Sequence, residues 1–340
     1  MQTIQSSVPS PKVRDGHRPC RPLRSLVGAA VASLIALSVH PALPQPARTV
    51  RIVVPLPAGG AGDILGRLLA EQVGRAEGPS VVIENRPGAG SIIGTEAVAR
   101  AAPDGNTLLI NAPYILIGPQ VRKTNYDPLT DFEPVCYLVS SPGVIVVNST
   151  SPYRTLGDLL DAARAKPGGL TLASVGPATA QHLGFEKLKR AANVDMTYVP
   201  YAGGAPAINA LLGGHLTAVF AEYAPLAGHL KAGTLRALAT SSRSRIAPLP
   251  DLPTVAESGI KDYEVDLWWG LFAPAKTPKE LVSQLAGWFV RAMQAPDVAA
   301  KLAAQGFAPV GKCGADFGVL LRQQYDDYGR IIREAHIKTD

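Results

Sequence analysis

The sequence predicts an α/β protein with two doubly wound parallel sheets in two domains. Apolar, β-branched runs alternate with amphipathic segments between 51 and 240, an order typical of parallel strands joined by helices. Two long extended segments, 133–148 and 263–274, interrupt this alternation and are suited to crossing between domains. The chain of 340 residues is also longer than one ordinary hydrophobic core requires. Alternation, crossings and length together favour this architecture.

Residues 1–47 differ from the rest of the chain and have the pattern of a secretory signal peptide. Five Lys and Arg residues precede an uncharged run, Ser25 to Val39, and a proline-rich stretch follows it. The run is shorter than the ~20 residues of a membrane span, and an uncleaved N-terminal anchor is the alternative. Cys20 precedes the run and is therefore excluded as a lipoprotein cysteine. We expect export without a lipid anchor.

Charge and cysteine content narrow the possible functions. Without residues 1–47 the chain has 28 basic and 26 acidic residues, with no basic cluster interleaved with aromatic residues. This composition argues against nucleic-acid binding. Two cysteines remain, Cys136 and Cys313. They either pair in an oxidising compartment or stay as two separate buried thiols.

The first predicted strand, Ile52 to Val54, runs into a glycine-rich turn at 55–62. Asp63 then opens an amphipathic helix, and we expect its carboxylate to be the N-cap. A strand, a glycine turn and a helix N-terminus present unpaired backbone N–H groups, and the helix dipole favours negative charge there. This stretch is the first candidate anion-binding site.

The remaining elements follow from short apolar runs and the turns between them. The pattern Gly88-x-Gly90-x-x-x-Gly94 is similar to a dinucleotide fingerprint, but it follows the second strand and lacks the acidic strand-end partner. We expect a tight turn there, and irregular structure at 114–132. Further strands are predicted at 81–85, 108–111, 170–175, 196–199, 217–221 and 235–240, and helices at 92–101, 155–166, after 182, after 207, near 223–233, and at 278–295, 297–305 and 314–336.

The two crossing segments divide the chain into a discontinuous first domain and an inserted second domain. We place the first domain at 48–146 plus 270–340 and the second at 147–269. In doubly wound sheets, ligands bind beyond the carboxyl ends of the strands. The loops expected at those ends are 57–63, 111–114, 174–182, 201–207 and 222–223.

These loops are rich in glycine, hydroxyl groups and helix N-termini, and poor in Lys and Arg. A carboxylate held by backbone N–H groups, hydroxyls and water fits such a composition. A phosphate would more usually bring a P-loop lysine or an arginine fork, and neither motif is present. We therefore expect a carboxylate ligand.

Several longer motifs, in order along the chain, carry a family resemblance. The chain resembles the substrate-binding proteins of tripartite tricarboxylate transporters, the Bug family, from about 50 to 335. The matching pieces are PLPAGGAGD from 55, VIENRPGAGSIIGTEAVARAAPDGNTL from 82, the S-x-G…H segment at 174–182, YAGGAPA from 201, LLGGHL from 211, HLKAGTLRALATS from 229, LPTVAESG from 252 and WWGLFAPAKTP from 268.

The resemblance implies a two-lobed, Venus flytrap periplasmic binding protein, type II-like, with two crossover strands. Such a protein captures a small carboxylated ligand in the interdomain cleft. It delivers the ligand to the large and small membrane subunits of a tripartite transporter. We also expect a monomer without metal, cofactor or catalytic residues. In this family two loops act as pincers on a ligand carboxylate, and by position they are Ala58 to Asp63 and Tyr201 to Ala207.

The candidate ligand-binding residues combine these pincers with the other strand-end loops. Departures from the family pattern fall at 177–179, at Ala221 with Glu222 beside it, and at 111–114. Because these positions would contact the ligand's distal group, the chemical nature of that group is not inferred. Trp268 and Trp269 are expected to pack at the hinge, and lining of the cleft is the alternative. The candidates are Ala58, Gly59, Gly60, Ala61, Gly62, Asp63, Asn111, Tyr114, Ser174, Thr179, Tyr201, Gly203, Gly204, Ala205 and Glu222.

Two other classes of function stay open. A ligand sensor for a membrane signalling partner uses the same fold, and the sequence does not separate it from a transport protein. A secreted hydrolase is the enzyme alternative. The sequence has no H-E-x-x-H, no G-x-S-x-G elbow and no metal-spaced cysteines.

Four residues of the candidate loops also have purely structural interpretations, as capping or core residues. They are Ser174, Thr179, His182 and Tyr201.

Overall fold

The computed structural model describes residues 48–177, 179–265 and 267–334. The predicted signal peptide, 1–47, lies outside them. The described chain forms two lobes, each built around one β-sheet. The strands are β1 (Thr49–Val54), β2 (Ser80–Asn85), β3 (Thr107–Asn111), β4 (Phe132–Ser140), β5 (Gly143–Asn148), β6 (Thr171–Ser174), β7 (Thr197–Pro200), β8 (Ala218–Glu222), β9 (Leu235–Thr240), β10 (Trp268–Pro274) and β11 (Ala308–Cys313).

The helices fill the connections between the strands. In the described part of the chain, none of them combines the length and the apolar character needed to cross a membrane. They are α1 (Ala61–Glu77), α2 (Ile92–Ala99), α3 (Tyr114–Val121), α4 (Leu156–Ala165), α5 (Ala180–Ala192), α6 (Gly204–Leu212), α7 (Tyr223–Lys231), α8 (Lys279–Gln294), α9 (Pro296–Ala304) and α10 (Ala315–Glu334).

Both sheets are mixed. The six-stranded sheet has the order β11-β4-β10-β3-β1-β2, in which β1 runs parallel to β2 and β3 while β10 runs antiparallel to β3 and β4. The five-stranded sheet has the order β7-β6-β8-β5-β9, in which β6 runs parallel to β7 and β8 while β5 runs antiparallel to β8 and β9.

The expectation of purely parallel sheets is therefore wrong. The chain leaves the first sheet through β4, enters the second through β5 and returns through β10. Because β5 and β10 are inserted between strands of the opposite direction, each crossing brings an antiparallel strand into the middle of a sheet. The two-lobed α/β architecture with two crossings is confirmed.

The division into domains stays a prediction. The expected boundaries, 146/147 and 269/270, fall inside β5 and β10. Since β5 pairs with β8 from Gly143 and β10 pairs with β4 from Trp268, sheet membership favours boundaries a few residues earlier.

The apolar core follows the alternation of side chains along the strands. Val50, Ile52 and Val54 of β1 face a cluster that includes α1 and α8, whereas Val53 faces the opposite cluster with Leu109. Successive side chains of a strand point to opposite faces, so the first sheet is covered on both sides. The five-stranded sheet likewise separates two apolar clusters.

Two elements differ from the sequence prediction. Helix α3 lies in a region expected to be irregular, and it contains Pro119, a residue that normally argues against a helix interior. Strand β11 was not predicted, because its side chains are mostly exposed and Pro309 and Gly311 interrupt its pattern. Pairing with β4 supplies the backbone contacts that make it a strand.

The open question about the two cysteines is settled by this pairing. Cys136 of β4 and Cys313 of β11 face each other in register and form a disulfide bond. The bond joins residues 177 positions apart and ties the edge strand to its neighbour.

Candidate functional site

A small cavity, which we call the pincer cavity, lies where the loops of the two lobes meet. Its volume is about 10 Å³, roughly the space of one water-sized sphere. The six-stranded lobe contributes residues that follow β1 and β3 and one residue of β10. The other lobe contributes residues that follow β6 and β7, the last residue of β8 and one residue after it. They are Leu56, Pro57, Gly60, Ala61, Tyr114, Trp269, Val175, Gly204, Glu222 and Pro225.

Four helices begin at this cavity. Helices α1, α3, α6 and α7 have Gly60, Pro113, Gly203 and Glu222 as their N-caps, and none of these residues makes a side-chain capping bond. By contrast, Thr155 and Thr179 cap α4 and α5 with their hydroxyls. Uncapped N-termini leave backbone N–H donors and the positive end of the helix dipole for another acceptor, although Ile115 of α3 and Tyr223 of α7 already donate to the Ala112 and Pro142 carbonyls.

The amides at two of these N-termini come from the glycine-rich loops. The first intrahelical bond of α1 joins Ile64 N–H to the Gly60 carbonyl, so the three preceding N–H groups have no acceptor within the helix. In α6, Gly204 and Ala205 supply N–H groups, whereas Pro206 has none. Both loops can therefore hold an anion with main-chain groups alone.

Asp63 has a different place from the one predicted. It is the third residue of α1, not the N-cap, and it is buried. One carboxylate oxygen accepts the Gly59 N–H at 2.9 Å, and the other accepts Arg67 Nε at 3.0 Å. Burial acts to raise the pKa of Asp63, but the bonds from Arg67, Gly59 and Asn85 outweigh it and hold the pKa below the usual value. Asp63 therefore fixes the shape of the loop.

Glycine allows the two loops to approach each other closely. Gly203 has a φ of 152°, and a Cβ placed on it would lie 2.8 Å from Cδ of Pro57 on the other lobe. A Cβ on Gly59 would lie 3.8 Å from Cβ of Ala205. The pincer loops are therefore in contact across the cleft in this structure.

Glu222 is the acidic group of the pincer cavity, and its carboxylate accepts four hydrogen bonds. Oε2 accepts Trp269 Nε1 at 2.6 Å and Ser141 Oγ at 2.9 Å. Oε1 accepts Gln181 Nε2 at 3.2 Å and the Tyr114 hydroxyl at 3.4 Å. Trp269 and Tyr114 belong to the six-stranded lobe, so these bonds join the lobes.

The electrostatics of this cluster follow from burial. Removal from water raises the pKa of Glu222 above the usual value, against the lowering effect of its four donors. Burial and the neighbouring Glu222 charge raise the pKa of Tyr114 well above the usual range. Tyr114 therefore keeps its proton and remains a donor.

The predicted site residues fall into three groups. Gly60, Ala61, Tyr114, Gly204 and Glu222 line the pincer cavity. Six others belong to the pincer loops without lining it: Ala58, Gly59, Gly62, Asp63, Gly203 and Ala205, of which Gly62 packs directly against the Trp269 ring.

The remaining predicted residues lie elsewhere. Tyr201 lines a separate cavity of about 310 Å³, which we call the second cavity. Asn111 is buried and bonds to Thr95 Oγ1 at 2.9 Å. Ser174 bonds to the hydroxyl of Tyr198 at 2.9 Å, and Thr179 caps α5. Asn111, Ser174 and Thr179 therefore have structural partners within their own lobes.

Several residues at the site were not predicted as ligand-binding. Trp269 and Gln181 bond to Glu222, and Leu56, Val175 and Pro225 form apolar walls of the pincer cavity. The sequence contains the WWG motif and Gln181, but it does not indicate that Trp269 and Gln181 donate hydrogen bonds to Glu222. Among the described residues, no group of three or more His, Cys, Asp or Glu side chains is arranged to hold a metal ion.

The fold and the site together define a two-lobed ligand-binding protein. Residues 65–337 match the model of the family described as "Tripartite tricarboxylate transporter family receptor". The chain belongs to this family. The resemblance inferred from its motifs is thereby confirmed.

Two relatives illustrate the similarity in sequence. A protein of Pseudomonas sp. strain P51, named for the tcbD-tcbE intergenic region, is 35% identical over 300 residues, covering 87% of this chain and 88% of the relative. Protein BugT of Bordetella pertussis is 30% identical over 319 residues, covering 93% of this chain and 98% of BugT. Both alignments span nearly whole chains.

Solved structures share the fold at similar identity. The periplasmic binding protein BugD has a TM-score of 0.82 at 32% identity, over 87% of this chain and all of BugD. Rpa4515 of R. palustris with adipate has a TM-score of 0.83 at 32% identity, over 86% of this chain and 99% of that one. MatC of Rhodopseudomonas palustris with bound malate has a TM-score of 0.77 at 28% identity, over 85% of this chain and all of MatC.

Proposed function

We propose that this protein is an extracytoplasmic receptor that captures a small carboxylate between its two lobes and delivers it to a tripartite membrane transporter. The observation that carries the proposal is the meeting of α1 and α6 at one interlobe cavity. Both N-termini are uncapped, and among the residues that the structure describes no Lys or Arg side chain lines the cavity. Backbone amides and helix dipoles suit a carboxylate under these conditions.

The solved relatives support the ligand class. Rpa4515 is described with adipate and MatC with bound malate, and both molecules are small dicarboxylates. We assign one carboxylate of the ligand to the backbone amides of the two pincer loops, Ala58 to Asp63 and Tyr201 to Ala207.

The size of the pincer cavity bears on how a ligand enters. At about 10 Å³ it holds roughly one water molecule, which is far less than any organic acid requires. We therefore propose that the lobes separate to admit the ligand and close on it, with the crossings at β4–β5 and β10 as the hinge. A ligand that binds the closed form better than the open form shifts the population toward closure.

We place the protein in the periplasm as a monomer that acts without catalysis. The Cys136–Cys313 disulfide supports an oxidising compartment. The membrane partners in this proposal are the large and small subunits of the transporter.

A substitution at the second pincer tests the proposal. A Cβ at Gly204 would lie 3.6 Å from Val175 Cγ1 and 3.9 Å from Pro225 Cγ, both ordinary contacts, so Gly204→Ala should fold. Its methyl group enters the cavity and keeps the carboxylate from the α6 amides. We expect the affinity to fall about tenfold or more, as overpacking of a close-fitting site by one methyl predicts.

The ligand is first identified by a thermal-shift screen of di- and tricarboxylates, aromatic acids and amino acids, since a bound ligand raises Tm by mass action. Calorimetry then compares the wild type with Gly204→Ala. Gly228→Ala is the matched control, because Gly228 lies on α7 with open space at its Cβ position. Equal affinity of Gly204→Ala and the wild type would refute the pincer assignment. A protein that binds no acid but turns over esters would refute the function.

A further inference from the structure

Glu222 and the backbone amides of both pincer loops share one small space. Gly60, Ala61 and Gly204 line the pincer cavity together with Glu222, and the volume of this cavity is about 10 Å³. A ligand carboxylate held at these amides is therefore brought beside the Glu222 carboxylate. Two carboxylates that share a site repel each other, and the pKa of one of them rises strongly as a result.

The side chains that contact Glu222 carry no positive charge. Its four donors, Trp269, Ser141, Gln181 and Tyr114, are all neutral. No Lys, Arg or His among the described residues lines the pincer cavity. Burial already raises the pKa of Glu222 against the lowering effect of these donors, and a second negative charge in the same space raises this pKa further.

The six-stranded lobe has two ionisable side chains near the pincers. Burial and the neighbouring Glu222 charge raise the pKa of Tyr114 on α3 well above the usual range, so this phenol keeps its proton. Asp63 on α1 is buried, yet the hydrogen bonds that it accepts, from Arg67 above all, hold its pKa below the usual value. Asp63 therefore stays ionised, and neither group exchanges a proton near neutral pH.

The five-stranded lobe has two ionisable side chains next to Glu222 or its donors in sequence. His182 follows Gln181 on α5 and stacks on Tyr198 with the ring centroids 4.0 Å apart, and burial lowers its pKa. Tyr223 begins α7, and burial raises its pKa. Helix α6 has no ionisable side chain. At about pH 7 this histidine and this tyrosine are therefore both neutral, and Glu222 is the group whose protonation can change.

The helix N-termini at the pincers balance about one negative charge. A helix N-terminus is equivalent to roughly half an elementary charge, and α1 and α6 both begin at the cavity without a side-chain cap. Helices α3 and α7 already donate amides of their first turns to the Ala112 and Pro142 carbonyls. A ligand carboxylate thus uses the available positive potential, and an ionised Glu222 beside it would be a buried charge without compensation.

We infer that Glu222 is a proton-binding site coupled to ligand capture, so that the closed protein holds a ligand carboxylate together with one proton on the Glu222 side chain. In the proposed open form the lobes separate Glu222 from Trp269 and Tyr114, and water in the cleft keeps its carboxylate ionised. When the lobes close on the acid, Glu222 takes one proton from the solvent, and its O–H group donates to the ligand carboxylate. The inference rests on the proposed function, because it takes that carboxylate to lie at the pincers.

Calorimetry in buffers with different heats of ionisation counts the protons that accompany binding. Adipate and malate are the probes, and the acid with the largest effect in the thermal-shift screen replaces them if neither binds. Between about pH 6 and 8 the carboxyl groups of these acids are ionised, so a proton that is taken up goes to the protein. The wild type should take up as much as about one proton per acid bound, and its affinity should fall by up to about tenfold per pH unit.

Three variants assign the proton to one residue. Glu222→Gln keeps the size of the side chain but has no carboxyl group, so it should bind the acid without proton uptake and with the same affinity across this pH range. His182→Gln removes the neighbouring imidazole and should keep the proton uptake of the wild type. Glu71→Gln removes an exposed carboxyl group from α1 and should also keep it.

Each outcome has a definite meaning. Binding by the wild type without proton uptake and with constant affinity overturns the proton site, while the carboxylate-binding function stands. The same conclusion follows if uptake persists in Glu222→Gln or disappears in either other variant. If Glu222→Gln does not fold, uptake by both the wild type and His182→Gln still supports the site. If no acid of the screen binds, the proton site and the proposed function both fall.

Discussion

Asp63 shows how one side chain shapes the first pincer. Its carboxylate accepts the Gly59 N–H and the Arg67 guanidinium, and its side chain is only 6% exposed. Because the Asp63 carboxylate lies in the first turn of α1, the positive end of the helix dipole also stabilises its negative charge. The loop before α1 thus depends on a buried charge that need not touch any ligand.

We predict that Asp63→Ala destabilises the protein by about 1.5–3 kcal/mol, the range for hydrogen bonds to a charged group. Glu71→Ala on the same helix is the control. It also removes an acid from a pair with an arginine four residues on, but there both side chains are more than half exposed, so the loss should be below about 0.5 kcal/mol. Urea denaturation measures both, and similar losses would contradict the assignment.

The same residue shows what a sequence motif predicts and what it does not. The PAGGAGD turn correctly indicated a strand, a glycine turn and a helix N-terminus. The N-cap assignment was wrong because α1 begins at Ala61, and the glycines allow the chain to enter the helix two residues before the first acidic side chain. Backbone conformation at glycine is weakly constrained by sequence.

At the scale of elements, β11 is held to the sheet by one strand and one covalent bond. It is an edge strand that pairs with β4, and most of its side chains are exposed. The disulfide closes a loop of 177 residues, so in the chain-entropy account it removes much freedom from the unfolded state.

We predict that the double variant Cys136→Ser, Cys313→Ser is less stable by about 2–4 kcal/mol, the typical contribution of a native disulfide. Denaturation with and without a reductant measures it. The reductant should destabilise the wild type and have no effect on the double variant. An unchanged midpoint in the reduced wild type would show that the bond contributes nothing.

The order of elements was largely predictable, and the exceptions have physical reasons. Alternating apolar runs and glycine turns indicated seven strands, two long extended segments and nine helices close to their observed places. Helix α3 was missed because Pro119 suppresses the helical signal, although buried Ile115 and Leu116 hold it in place. Strand β11 was missed because pairing, rather than burial, defines it.

At the scale of the whole molecule, Glu222 connects the two lobes. Its carboxylate joins Trp269 and Tyr114 of one lobe to Ser141 and Gln181. Because burial raises its pKa, the folded form binds the proton more tightly than the unfolded form does. The resulting stabilisation is complete below the unfolded pKa of about 4.3 and is lost as the pH rises through the folded pKa.

We predict that Glu222→Gln gains stability relative to the wild type as the pH rises from about 4 to 8, because the amide stays neutral. A difference of one pH unit between the pKa values of the folded and unfolded forms changes the free energy of unfolding by about 1.4 kcal/mol. Denaturation midpoints of both proteins across this range measure the effect, with Glu71→Gln as the control for removing an exposed carboxyl group. A constant difference between wild type and variant at every pH would contradict it.

The partners of Glu222 explain why this part of the site was not predictable. Trp269 is 47 residues away along the chain and Tyr114 is 108 away. Local patterns indicate which residues end a strand or begin a helix, and on that basis Tyr114 and Glu222 were candidates. They do not indicate which distant donors converge on one carboxylate, because that depends on how the lobes close.

The uncapped helix N-termini have a consequence for how such receptors diversify. In the proposed site the ligand carboxylate is held by main-chain amides, and amides are kept through almost any exchange of side chains, whereas a site built from arginines is lost when an arginine is replaced. Residues that wall the cleft, such as Leu56, Val175 and Arg122, are free to change without loosening these contacts. Under the proposed function, substitutions at these positions would therefore change which acid fits the cleft while the main-chain contacts to its carboxylate persist.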